Sequence, residues 1–230
     1  MMAECIYKEK IEDTVKKIAD RVDPLTIKEK WKSYSESHLI NELVACILGS
    51  RARFEVASMC LQRLKDKDLL NKNSILRNPN NIQMKIQKTL EKNGYLFSKS
   101  KADYIICTII NIFQHEKLTM KKILANCNSD FEARDRIVKL CKGIGPKQAS
   151  LFLRNIHYSE NLAILDSHVM KFMKIQGIEK DIKKAINKTD YIKYETSLQI
   201  YANGLRKSMA QLDVAIWIVM RVAQRDMKWL

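Results

Sequence analysis

Apolar residues return at helical spacing in segment after segment of this chain. In residues 1–30, Ile6, Ile11, Val15 and Ile18 fall at intervals that line one face of a helix. The spacing predicts an amphipathic helix ending near Asp23-Pro24, because the residue before a proline is pushed out of the α region. A second helix is predicted over about 36–48. It is apolar around most of its circumference (Leu39, Ile40, Leu43, Val44, Cys46, Ile47), with Gly49 as its stop. A third follows Ser50-Arg51-Ala52-Arg53 and runs through Leu70. The Asn-rich residues 71–80, with Pro79, read as a loop. Further helices are predicted over about 81–92 and 99–114, and over Phe131 to Cys141. Beyond these, helices are expected through Ala149 to Leu153, from Asp166 to Ile175, from Tyr191 to Leu205, and from Met209 to Trp229. The expected fold class is all-α.

At 230 residues the chain can hold one domain built as two helical lobes. Hydrophobic residues make up 46%, enough for a packed core, and only 3 Pro and 6 Gly interrupt it, which favours long helices. Charge changes the picture. The net charge is +15, and residues 1–30 contribute none of it, with seven basic and seven acidic side chains. The excess, 34 basic against 19 acidic, lies in residues 31–230. Such a field concentrates polyanions, so nucleic acid is the expected partner, a ribosome-associated or simply lysine-rich surface being the alternative. The six cysteines (Cys5, Cys46, Cys60, Cys107, Cys127, Cys141) form no Cys-x-x-Cys pair, and none follows Cys141. They read as free thiols in a reducing compartment, and no metal or cluster is expected. No secretory leader is expected, since charge begins at Glu4, and no apolar run approaches the length of a membrane span.

The chemistry concentrates between Leu140 and Val169. Lys142-Gly143-Ile144-Gly145-Pro146-Lys147 places two glycines around one apolar residue, then a proline suited to the first position of a helix. The reading is helix, tight hairpin, helix over about 131–156. Free amides at the second helix's start would form an anion site. By itself such a turn is equally a plain helix–helix connection. Lys147 beside the turn and Asp166 nineteen residues later, in Leu165-Asp166-Ser167-His168-Val169, change that reading.

Lys-Gly-Ile-Gly-Pro-Lys-Gln-Ala and Leu-Asp-Ser-His-Val together resemble the helix-hairpin-helix DNA glycosylases. In that superfamily the lyase-competent members carry a lysine just after the hairpin and an aspartate at about this distance. The resemblance implies a two-lobed helical glycosylase fold with a cleft between the lobes holding Lys147 and Asp166. It implies backbone contacts to DNA from Lys142, Gly143, Ile144 and Gly145. It implies a Schiff base through Lys147, with Asp166 stabilising positive charge on the sugar. A lysine nucleophile must first lose its proton, which burial or positive neighbours such as Lys142 and the hairpin amides favour. The alternative roles are a phosphate contact for Lys147 and a helix N-cap for Asp166, and the cap can coexist with catalysis.

A looser resemblance covers about 36–220. Phe97 to Ile105 resembles the Arg-Phe-x-x-x-Lys-Ala-x-Tyr-Ile pattern of the archaeal-type branch of 8-oxoguanine DNA glycosylase/AP lyases, with Leu96 in place of the arginine. Leu212-Asp213 through Trp217 resembles that branch's Leu-Asp-x-x-x-Trp element. A base pocket of Trp217, Asp213 and Phe97 is implied, the alternative being aromatic core residues. The chain departs from the branch in its ending, which runs on to Leu230. It also departs at Ser50-Arg51-Ala52-Arg53, where the superfamily often has Gln or Asn facing the DNA. Endonuclease III-like relatives hold an iron–sulfur cluster on C-terminal cysteines, which this chain lacks. The implied activity is base-excision repair of 8-oxoguanine in double-stranded DNA, by a monomer without cofactor, in the cytoplasm at the nucleoid. The alternatives are a glycosylase for another lesion, such as an oxidised pyrimidine or alkylated base, or a non-catalytic DNA-binding module.

Overall fold

A computed structural model describes residues 2–23, 30–183 and 186–226, with backbone only at 2–6 and 224–226. Every long regular element among them is helical, as the spacing predicts: α1 (Met2–Ala19), α2 (Glu36–Leu48), α3 (Phe54–Asp66), α4 (Lys72–Arg77), α5 (Pro79–Lys92), α6 (Ser98–Ile110), α7 (Met120–Ala125), α8 (Asp130–Leu140), α9 (Pro146–Asn155), α10 (Ser167–Gln176), α11 (Lys188–Gly204) and α12 (Met209–Asp226). A 3-10 turn at Lys30–Ser33 and a π turn at Asn111–His115 complete the set. The chain divides into two compact units, residues 1–28 with 159–230, and residues 29–158.

The unit of residues 29–158 is built around α2, which packs against α3, α6, α7 and α9. That is why α2 is apolar on so much of its surface: Leu39, Leu43, Ile47 and Leu48 are all fully buried. The C-terminal carbonyls of a helix have no partners within it. Here Gly49 N–H returns to the Ala45 carbonyl, the Tyr95 hydroxyl donates to the Leu48 carbonyl, and Lys101 Nζ donates to the Ile47 carbonyl at 2.5 Å. Lys101 is buried, and burial lowers its ammonium to about 8, with the positive Arg51 adding to the effect. A cation is favoured at a helix C-terminus, which offsets part of that desolvation.

The other unit packs α1 and α10 on α12. Ile11 and Val15 of α1, Phe172 of α10, Tyr194 and Leu198 of α11, and Leu212 and Ile216 of α12 share its core. Helix α1 ends at Ala19, earlier than the spacing predicts, and Pro24 lies outside the described residues, as does the predicted continuation of the last helix to Trp229.

Three further expectations change. Residues 71–80 are not a loop. Asn71 caps α4 through hydrogen bonds from the Asn73 and Ser74 amides, and Asn78 caps α5 with Pro79 at its first position. Helix α3 stops at Asp66, before Leu70, and Asp68 beyond it takes a positive φ of 51°. Helix α11 begins at Lys188 rather than Tyr191, because Asn187 and Asp190 form a reciprocal capping box. In the lysine-rich residues 180–193, Lys183 pairs with Asp190 at 2.6 Å and Lys193 with Glu179 at 3.0 Å, so these two charges are held locally.

Candidate active site and DNA-binding hairpin

Helices α8 and α9 flank the hairpin, and their apolar positions explain the packing. Ile137 and Leu140 on one helix, and Ala149, Phe152 and Leu153 on the other, are buried in the unit of residues 29–158. Buried Arg134 reaches Ser150 Oγ at 3.5 Å and ties the two helices together. Helix α6 backs the turn. The π turn after it supplies Asn111, whose side-chain amide donates to the Leu140 carbonyl at 3.0 Å.

The two glycines do different work. Gly143 has φ +76°, the left-handed region where a side chain is strained. A Cβ there would also stand 2.1 Å from the Tyr104 ring, so the turn and α6 meet only because residue 143 has no side chain. Gly145 has φ −100° and ψ −178°, extended backbone open to any residue, and a Cβ there would meet nothing within 4 Å. Strain therefore belongs to Gly143, and Gly145 leaves open space at the helix start. Ile144 is buried, and its amide donates to the Cys141 carbonyl at 3.3 Å, so that amide is used within the turn. Helix α9 has no side-chain cap. Pro146 has no N–H, and the Lys147 and Gln148 amides fall in the first turn, where no intrahelical acceptor exists.

Lys147 is half-buried in that first turn. Its charge reaches Cys46 of α2: burial pushes that thiol up to about 12, Glu42 adds to the rise, and the positive Arg154 and Lys147 oppose it. Lys142 does not serve as a free positive neighbour. It is exposed and pairs with Asp103 Oδ2 of α6 at 2.8 Å, which raises its own ammonium, with Tyr104 6.0 Å away.

Asp166 belongs to the other unit and is the N-cap of α10. Its Oδ1 accepts from the His168 amide at 2.8 Å and from the Val169 amide at 2.9 Å. Both capping bonds use one oxygen, so Oδ2 is left for another task. The remaining expected residues are spread. Phe97 stands at the N-cap position of α6, 41% exposed. Trp217 on α12 is 39% exposed, with the Arg221 guanidinium 4.9 Å from its ring. Neither aromatic is a core residue. Asp213, one turn before Trp217, is buried and already engaged with a partner. The structure therefore groups Lys142 through Lys147 in one unit with Phe97, and Asp166, Asp213 and Trp217 in the other.

Sequence reasoning assigned no role to Tyr104, Lys101, Asn111 or Arg134, which hold the hairpin and α2 in place. Lys101 and Tyr104 stood inside the quoted pattern, and their spacing on α6 was the available signal. None of the described residues forms a cluster of three or more potential metal ligands, and no described helix is long and apolar enough to cross a membrane.

Comparison with known proteins agrees with the helical fold and identifies a family. The family model for 8-oxoguanine DNA glycosylase matches residues 18–207. An 8-oxoguanine DNA glycosylase/AP lyase from Saccharolobus solfataricus is 32% identical over 198 residues, 86% of this chain and 85% of the relative. One from Sulfolobus acidocaldarius is 33% identical over 176 residues, 76% of this chain and 78% of the relative. Among solved structures, the 8-oxoguanine DNA glycosylase of Methanocaldococcus jannaschii superposes with a TM-score of 0.72 at 24% identity, covering 93% of this chain and 92% of that one. The M. jannaschii enzyme in complex with a 15mer DNA containing 8-oxoguanine superposes at 0.69, with 23% identity, covering 97% of this chain and 92% of that one. At these identities the solved structures establish the helical fold.

Proposed function

The chain belongs to the 8-oxoguanine DNA glycosylase family, and from that premise we propose that it excises 8-oxoguanine from double-stranded DNA and cleaves the strand at the abasic site left behind. The observation that carries the reading is the start of α9. It has no side-chain cap, a glycine with open space around it, and a lysine in its first turn. A helix start of this kind suits a DNA phosphate, whose charge the unsatisfied amides and the helix dipole both favour. The lysine in the same turn stands beside that site and supplies the amine for a nucleophile.

The target nucleotide leaves the stack before the chemistry. Lys147 Nζ attacks C1′, the bond from C1′ to the base nitrogen breaks, and its electron pair departs with the base, which takes up a proton. The sugar ring opens at C1′–O4′ to give an imine between Nζ and C1′. Loss of a C2′ proton then expels the 3′ phosphate, and water hydrolyses the imine. Positive charge builds on the sugar during the first step. Asp166 stabilises it through the oxygen that does not cap α10. Lys142, Gly143, Ile144 and Gly145 form the backbone-binding turn, with Lys142 held through Asp103. Phe97 and Trp217 offer exposed aromatic faces for the extruded base, with Asp213, buried and already engaged with a partner, one turn before Trp217 on the same helix. We take the enzyme to act as a monomer, without a cofactor, at the nucleoid in the cytoplasm.

The test is a panel of duplexes, each carrying one defined lesion, incubated with the full chain and borohydride. A covalent adduct and strand cut at 8-oxoguanine, well above those at an oxidised pyrimidine or alkylated purine, are expected. Cutting confined to another lesion would move the chain to a different substrate. Binding with no adduct on any lesion would leave a DNA-binding module.

A further inference from the structure

We propose that Leu96 is the wedge that enters the base stack and fills the gap left by the extruded nucleotide, an inference that rests on the function proposed above. Leu96 is 90% exposed, the most exposed of the large hydrophobic residues described. Single exposed apolar residues are ordinary, so its setting decides. The backbone around it is fixed on both sides. Gly94 turns the chain at φ +73°, and Tyr95, only 3% exposed, donates its hydroxyl to the Leu48 carbonyl and also reaches the Ser50 carbonyl at 3.5 Å. On the other side the Phe97 carbonyl accepts from the Lys101 amide at 3.0 Å, and Lys101 is itself anchored to the end of α2. A leucine held out on so firmly tied a turn has been positioned rather than left over.

The surroundings are cationic. The Tyr95 bonds to the end of α2 bring the loop after that helix alongside, and it carries exposed Arg51 and Arg53 with no acidic partner among the described residues. Arg51 is close enough to influence Lys101. Phe54, 74% exposed, follows. A projecting apolar side chain on a turn tied to an arginine-bearing loop suits a base stack flanked by phosphates, the arrangement by which apolar wedges enter DNA. The spacing fits as well. Leu96 precedes α6, and Tyr104 on α6 abuts Gly143 of the hairpin. The seven positions from Phe97 to Tyr104 span about 10 Å of helix, or roughly three nucleotides along one DNA strand. One rigid helix thus carries the wedge at one end and backs the phosphate-binding turn further along. The archaeal-type pattern has arginine where this chain has Leu96. Leucine has no donor or acceptor, so residue 96 here fills space and reads no base edge.

The experiment compares single-turnover excision by wild type, Leu96→Ala and Leu96→Met on two substrates, 8-oxoguanine in a fully paired duplex and in an internal loop that is already unstacked. Unstacking costs a few kcal/mol per step, so Leu96→Ala is expected to slow the paired substrate by about tenfold or more. On the loop it should stay within about twofold of wild type, while Leu96→Met stays near wild type on both, since a long flexible apolar side chain still fills the gap. A 2-aminopurine beside the lesion gives a readout independent of chemistry: its fluorescence should rise on binding wild type and not on binding Leu96→Ala. Equal slowing on both substrates, or none on either, overturns the wedge. If wild type excises nothing but raises the fluorescence in a Leu96-dependent way, the wedge stands and the substrate reading fails.

Discussion

Two helix starts in this protein are built in opposite ways. Helix α10 opens with Asp166, whose carboxylate accepts the free amides of His168 and Val169, so its anion is part of the chain. Helix α9 opens with Gly145, which has no side chain to offer, and puts Lys147 in the first turn. The contrast is informative because the rest of the chain caps with care. Ser35, Asn71, Asn78, Thr119, Ser129 and Asn187 each accept a first-turn amide, and Ser208 accepts that of Gln211. A cap contributes about 0.5–2 kcal/mol, so an absent one is a real concession. Among the described α-helices, α3, α6 and α9, which follow Arg53, Phe97 and Gly145, lack a side-chain cap. All three starts lie in the unit of residues 29–158 and belong to the segments assigned here to DNA. The proposed DNA contacts thus fall at helix starts that no side chain of the chain closes.

The largest expected effect separates the two tasks of Asp166. Asp166→Asn keeps a capping oxygen and should melt close to wild type, yet lose about 10²–10³-fold in excision rate because the sugar's charge goes unopposed. Asp166→Ala should lose the same activity and about 1 kcal/mol of stability as well. Full activity in Asp166→Asn would make this residue a cap alone.

A smaller effect comes from giving α9 its own anion. Gly145→Asp fits the open space at this position, and its carboxylate would cap the helix as Asp166 caps α10. The fold should hold, while repulsion of phosphate weakens binding to lesion and undamaged duplexes alike by about tenfold or more. Unchanged affinity, by titration with labelled DNA, would leave the α9 start without a phosphate.

The smallest effect tests a helix end closed from within. Lys101 caps α2, and its ammonium is lowered to about 8 in the fold from an ordinary 10.5. Between those values the unfolded chain binds the extra proton at this residue, so the contribution of Lys101 to stability should rise as pH goes from 8 to 10. Relative to wild type, Lys101→Met should lack this gain. Parallel stability curves for the two proteins over that range would remove Lys101 from the account.

Much of this was legible in the sequence because it is local. The apolar spacing of α2 and α6, the Gly-Ile-Gly-Pro turn, and the Lys147 and Asp166 positions are read within short windows. What was missed is short or long-range. Helix α4 has six residues, too few to show a period, and Asn71 and Asn78, which read as loop residues, are the caps that create it and its successor. The reason for Gly143 lies in Tyr104, far earlier in the chain, and no local pattern announces that contact. The turn pattern likewise does not separate the two glycines, since only the backbone angles distinguish the positive φ of Gly143 from the extended Gly145.

The measurement closest to the central claim is borohydride trapping on an 8-oxoguanine duplex with wild type and Lys147→Gln, followed by peptide mass mapping of the adduct. The expected result is an adduct on Lys147 in wild type and none in the variant, which still binds the duplex. An adduct of undiminished yield in Lys147→Gln, or one mapped to another amine in wild type, would contradict the assignment of the open start of α9 as the seat of the nucleophile.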